Sequence, residues 1–214
     1  MKLRSAAANA CMLSEVVDAL HIDQVDLIGN DCGGGIAQIF AAFHSDRVRT
    51  LTLTNCDTHD NSPAEAFKHL VQVATGGGMS NLLNGILADK SLYRSIAAAS
   101  ATHGPLENVS DEEIEIYIRP LVQSEQRTRD FERFVTALDP SHALKAEPRL
   151  RRLHAPTLIV WGTDDAHFPV RWAHWLAEAI PGAKPPVEVA GTRSFFARER
   201  AQLFNTLLRD HLAA

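Results

Sequence analysis

The segment VDLIGNDCGGGIAQIF, residues 25–40, constrains the fold more than any other part of the chain. An apolar run leads straight to Gly29, and an apolar pattern with helical spacing starts a few residues later. A strand that turns tightly into a helix is the repeating unit of α/β proteins with a parallel sheet. We therefore predict a strand over 24–29 and a helix over 34–43.

The same alternation of strand and helix occurs near both ends of the chain. Apolar or β-branched runs predict further strands, and spacings of three and four predict further helices. The last predicted strand contains two prolines and should lie near a sheet edge. The strands are 48–55, 156–162 and 185–191; the helices are 5–20, 170–180 and 197–212, the first with Leu13, Val16, Val17 and Leu20 on one face.

The middle of the chain has a different pattern. Residues 63–153 show helical periodicity and no convincing strand, and Ser110 with Glu113 three residues later predicts a capping box. We predict three parts: 1–62 as the first part of an α/β core, 63–153 as a helical cap, and 154–214 as the second part of the core.

Composition narrows the possible partners. A net charge of −5 over 214 residues provides no basic surface for nucleic acid, and no apolar run is long enough for a membrane span. We expect a small-molecule substrate. The three cysteines lack metal-ligand spacing, so we expect no metal or cofactor, and reduced thiols in a cytoplasmic protein.

The turn itself, Gly29-Asn30-Asp31-Cys32-Gly33, allows three interpretations. Asp31 fits the pattern glycine-x-nucleophile-x-glycine, in which a carboxylate would attack carbon and form an ester that water hydrolyses. Cys32 could be the nucleophile, flanked by Asn30 and Gly34. Asp31 could instead only cap the helix. A phosphate loop is excluded because its Gly-Lys-Ser/Thr ending is absent, and a dinucleotide fingerprint is excluded by the spacing.

Two later segments carry a resemblance to a known family. In PTLIVWGTDDAHFPV a strand is followed by Asp165 at the fourth place of G-x-x-D, and VAGTRSFFARER follows the last strand. Together with the turn at Asp31, over residues 13–212, these segments resemble the α/β-hydrolase family. An aspartate at this turn resembles the haloalkane and fluoroacetate dehalogenases and the epoxide hydrolases.

The resemblance implies a partial α/β-hydrolase fold, a mainly parallel sheet flanked by helices with an inserted helical cap. It also implies a hydrolase for a small, mostly apolar substrate. Asp31 would be the nucleophile, Asp165 the acid that orients a base, and the backbone N–H of Cys32 half of an oxyanion site.

The sequence departs from the family at the base. Ser194 stands where the family keeps a histidine, and a serine hydroxyl does not accept a proton from water as an imidazole does. His59 and His167 are alternative bases, and Asp57 is an alternative acid. These departures leave two other functions open: a non-catalytic protein that binds a small ligand or a partner, or an ester or lactone hydrolase that uses Cys32.

We call the turn at Asp31 the elbow and the strand that leads into it the elbow strand. The elbow strand also lacks the strands that precede it in the family. We expect it to form an open, apolar edge of the sheet, which proteins usually pair or cover. The expectation is association with a second copy or with an N-terminal segment.

Overall fold

Four strands form a single parallel sheet in the computed structural model, which describes residues 5–96 and 109–213. Their order across the sheet is the order along the chain, so β1 and β4 are its two edges. The strands are β1 (Val25–Asp31), β2 (Val48–Cys56), β3 (Thr157–Gly162) and β4 (Val187–Val189).

Helices make up most of the remaining described chain, and none of those described is long and apolar enough to cross a membrane. They are α1 (Ala6–Ala19), α2 (Cys32–Phe43), α3 (Lys68–Thr75), α4 (Met79–Ala88), α5 (Lys90–Ser95), α6 (Asp111–Ile118), α7 (Glu125–Val135), α8 (Ser141–Leu150), α9 (Arg171–Ala179), α10 (Phe196–Glu199) and α11 (Ala201–Leu212).

The two faces of the sheet are covered by different helices. On one face Leu51 and Leu53 of β2 are fully buried in a core that α2 and α9 complete. On the other face Phe204 and Leu207 of α11 pack against Val160 of β3. Every residue of β3 is buried, as expected for a parallel strand with helices on both faces.

The inserted segment forms its own small apolar core. Met79, Leu83 and Ile114 are buried against one another, and the capping box of Ser110 and Glu113 begins α6 as predicted. The described residues of the segment contain helices and no strand of the sheet. Residues 97–108 of the predicted cap lie outside the described residues.

Several predicted boundaries and one predicted face were wrong. In α1 only Val17 of the predicted inner face is buried, whereas Val16 and Leu20 are 47% and 63% exposed. The strand predicted to stop at Gly29 continues to Asp31, because its pairing with β2 runs on to that residue. The predicted closing helix is divided in two near Arg200.

Candidate active site

The carboxyl ends of the four strands bring the predicted site residues to one edge of the sheet. Asp31 is the last residue of β1, and Asp57 directly follows β2. Asp165 follows β3 by three residues, and Ser194 follows β4 by five. In open parallel sheets this edge is where ligands bind.

The backbone at Asp31 has the sharp bend that the nucleophile interpretation requires. Its φ of 53° and ψ of −133° are strained for a residue with a side chain. Its carboxylate accepts no N-cap hydrogen bond from the backbone N–H groups that follow Cys32 in the first turn of α2, although it precedes that helix. The helix-cap interpretation therefore does not account for this aspartate.

Close backbone approach explains two of the neighbouring glycines. A Cβ on Gly29 would lie 2.6 Å from the Cα of Gly34, and a Cβ on Gly34 would lie 2.2 Å from the Cβ of Cys56. A Cβ on Gly33 would meet nothing within 4 Å. The second small residue that the bend needs is thus Gly34, not Gly33 as the motif suggested.

Burial sets the electrostatics of Asp31. Loss of water raises the pKa of its carboxyl, and the Cys32 thiol and backbone N–H partly oppose this by donating hydrogen bonds. The thiol lies 3.4 Å from Oδ1 of Asp31. His167 acts to lower this pKa and the charge of Asp165 acts to raise it. An ionised carboxylate of raised pKa is a more basic, and so a better, nucleophile.

Cys32 is poorly placed to be a nucleophile itself. Burial, followed by the negative charges of Asp31 and Asp57, raises the pKa of its thiol well above the usual value. Because the thiolate is the reactive form, this environment suppresses cysteine chemistry at neutral pH. The geometry favours Asp31 over Cys32.

Asp165 is buried and accepts hydrogen bonds at both oxygens. Its Oδ1 accepts from the backbone N–H groups of His167 (2.8 Å) and Phe168 (3.0 Å). Its Oδ2 accepts from the amide of Asn55 (2.9 Å) and from the hydroxyl of Ser194. Ser194 thus contacts the acid as the expected histidine would, but it has no group that can act as a base.

Two asparagines to which the sequence analysis gave no functional role hold these parts together. Asn55 bonds both the N–H and the C=O of Gly162 as well as Asp165, and so joins the ends of β2 and β3. The amide of Asn30 donates to the carbonyl of Ser194 (2.9 Å) and to Thr54. Their position beside the strand ends is the only signal that the sequence offered.

The alternative acid and the two alternative bases that the sequence suggested lie in three different surroundings. Asp57 is buried beside the elbow, but Asn55, not Asp57, contacts the acid Asp165. His167 is buried near Asp31, with its ring 5.1 Å from that of Phe67. The ring of His59 lies against Trp172 and Trp175, and its Nε2 is 3.3 Å from Glu147.

A cavity of about 270 Å³ opens above the elbow, between the sheet and the inserted helices. Asp31 and Phe195 contribute to its floor, and the remaining lining side chains come from the inserted segment. Those are mainly apolar, with no lysine or arginine among them: Phe67, His69, Leu70, Leu82, Leu83, Ile86, Tyr93, Ile96, Ile118, Leu121 and Phe131. The described residues also contain no cluster of three metal-ligating side chains.

Curated relatives match nearly the whole of this chain. A curated relative, the 2-hydroxy-6-oxononadienedioate/2-hydroxy-6-oxononatrienedioate hydrolase of Paraburkholderia phymatum, is 28% identical over 205 residues, which are 95% of this chain and 67% of the relative. The same-named hydrolase of Paraburkholderia xenovorans is 27% identical over 96% of the chain and 68% of the relative.

A solved structure of an α/β-hydrolase fold protein from Burkholderia ambifaria superposes with a TM-score of 0.79 at 18% identity, over 96% of this chain and 73% of that one. The sequence pattern of the family described as "alpha/beta hydrolase fold" matches residues 3–196. The chain therefore belongs to the α/β-hydrolase fold family.

Proposed function

We propose that this protein is a hydrolase of small, neutral, mostly apolar substrates and that Asp31 is its nucleophile. One observation carries the proposal: a partly buried carboxyl sits at a strained elbow, unused as a helix cap, and faces an apolar cavity. The related hydrolases named above support the general class of reaction.

The first step is attack of the Asp31 carboxylate on a saturated carbon of the substrate. An O–C bond forms to Asp31, and the bond to the leaving group breaks with its electron pair, as in an alkyl halide or an epoxide. The N-terminal end of α2 and the backbone N–H of Cys32 stabilise negative charge at the elbow. Water then hydrolyses the ester, a step that lacks the usual imidazole because residue 194 is serine.

The substrates named for the relatives are a second candidate class. A nonadienedioate carries two carboxylates, and the cavity here offers no arginine or lysine among its described lining residues to bind them. The relatives' names favour this class, whereas the lining and the aspartate at the elbow favour a neutral electrophile.

Mass spectrometry of the intact protein and of its peptides tests the proposal. We expect incubation with 1-bromobutane or 1,2-epoxyhexane to add the alkyl group to the peptide that contains Asp31, and Asp31→Asn to abolish this adduct. The exposed Asp164 provides a matched control, because Asp164→Asn should leave adduct formation unchanged.

Chloroacetate and 2-hydroxy-6-oxononadienedioate complete the substrate set. Both are anionic and should react more slowly than the neutral compounds, if at all. Cleavage of the dienedioate with no adduct from any neutral electrophile would show that the relatives' reaction is the right one. No reaction with any compound would indicate a non-catalytic, ligand-binding protein.

A further inference from the structure

Asp57 is a buried carboxyl beside the elbow that the proposed reaction does not use. Its backbone N–H donates to the carbonyl of Asp31 (3.3 Å), and its own carbonyl accepts from the side-chain amide of Gln38 (2.8 Å). A Cβ on Gly35 would lie 2.9 Å from the Cβ of Asp57. Two hydrogen bonds and the close approach of Gly35 thus fix Asp57 against β1 and the first turns of α2.

Among the residues that the structure describes, the Asp57 carboxyl forms no ion pair. None of the ion pairs among the described residues includes Asp31 or Asp57. The polar groups that act on Asp57 are Asp31 and the hydroxyl of Ser62, with the thiols of Cys32 and Cys56 nearby; His167 and Asp165 act on Asp31. Two neighbouring carboxyls, one buried and one partly buried, that form no ion pair among the described residues resist carrying two negative charges at once.

We propose that Asp57 is a positioning residue for Asp31: below neutral pH the two carboxyls hold one negative charge between them, and esterification of Asp31 passes that charge to Asp57. Burial and the charge of Asp31 raise the pKa of Asp57 to about 7. The thiol and the backbone N–H of Cys32 donate hydrogen bonds to the carboxylate of Asp31, so in this proposal the single charge lies on Asp31, the group that must be ionised to attack.

The second half of this inference rests on the proposed function. When the Asp31 carboxylate displaces bromide from 1-bromobutane, an O–C bond forms, the C–Br bond breaks and bromide leaves with the electron pair. Asp31 is then a neutral ester, so one cause of the raised pKa of Asp57 disappears. Asp57 releases its proton to solvent and takes up one proton again once water has hydrolysed the ester to a carboxylate and butanol.

The sharing of one charge by Asp31 and Asp57 predicts how the rate of alkylation depends on pH. Asp31 reacts once it is ionised, and the rate should rise a second time, several-fold, near pH 7 as Asp57 also ionises. Alkylation then relieves repulsion between two carboxylates. In Asp57→Asn the second rise should be absent, whereas Asp60→Asn, at an exposed position in the same loop, should keep it.

Infrared difference spectroscopy tests, without any substrate, whether Asp31 and Asp57 share one negative charge. Wild type should lose the absorption of one protonated carboxyl as the pH passes about 7, and so should Asp60→Asn; Asp57→Asn should not. Loss of the same absorption in folded Asp57→Asn, or no such titration in wild type, would overturn the proposal that the two carboxyls share one charge.

The alkylation profile then tests the transfer of charge. Asp57→Glu keeps an ionisable group and should restore a second rise, which a purely structural role of Asp57 would not explain. If the rate of alkylation of wild type does not rise near neutral pH, Asp57 does not take up the charge when Asp31 is esterified. Asp31 would still be the nucleophile. If wild type forms no adduct at all, both the proposed function and the transfer of charge to Asp57 are wrong. The infrared titration still decides whether the two carboxyls share one charge.

Discussion

Residue 194 is where the chemistry of the site depends on a single side chain. Ser194 is fully buried, and its hydroxyl donates to the Oδ2 of Asp165. An imidazole that made this contact would be oriented by the acid and could take a proton from water. We expect Ser194→His to speed hydrolysis of the Asp31 ester by about 10²-fold or more, the usual range for a positioned general base.

Decay of the butyl adduct in mass spectra provides this measurement. Ser194→Ala is the control, since it removes the hydroxyl and adds no base, and its adduct should decay as in wild type. The larger ring must fit a filled space, so we expect a loss of stability of about 1–3 kcal/mol in a thermal melt. A folded histidine variant whose adduct decays no faster than that of the alanine variant would contradict the role assigned to this position.

The elbow as an element depends on one glycine of a neighbouring pair. Alanine at position 34 would place its Cβ 2.2 Å from the Cβ and 2.6 Å from the Sγ of buried Cys56. Either β2 or α2 must then move, so Gly34→Ala should cost about 3 kcal/mol or more of unfolding free energy. Gly33→Ala meets open space within α2 and should be neutral or stabilise by up to about 1 kcal/mol.

Chemical denaturation of the two alanine variants compares them directly. Equal losses at both positions would mean that the helix start, not the contact with β2, sets the need for glycine. Adduct formation at Asp31 should also fall in Gly34→Ala, because the displaced helix carries the Cys32 N–H.

Sequence patterns were informative wherever a single element determines its own structure. The strand periodicity predicted all four strands, and the pair Ser110 and Glu113 predicted a helix start, since both depend on residues close in the chain. The spacing of the motif could not distinguish Gly33 from Gly34, because that depends on how closely β2 approaches α2.

Contacts between segments that are far apart in the chain could not be predicted from the sequence for the same reason. Asn55 meets Asp165 across 110 positions of the chain, and Asn30 meets Ser194 across 164. The exposed Val16 of α1 shows the opposite error, since a helical apolar stripe does not reveal which part of it a neighbour covers. The site residues themselves remain predictions until the adduct experiments are done.

At the scale of the whole sheet, the edge strand β1 is open on its outer side within the described residues. Within the described residues β1 pairs only with β2, and Ile28 on this edge strand is 47% exposed. The edge carries one charged side chain before the elbow, Asp26, which is already paired with Arg49. Unpaired N–H and C=O groups beside exposed apolar side chains favour pairing with another strand.

We therefore expect this chain to associate through β1, and light scattering across a concentration series should show a mass above that of one copy. Ile28→Lys places a charge on the edge and should shift the protein toward the monomer. Ile116→Lys is the matched control, because Ile116 is even more exposed, at 68%, but lies on α6 in the inserted segment. A wild-type protein that stays monomeric at every concentration, or an equal shift in both variants, would mean that β1 is not the interface.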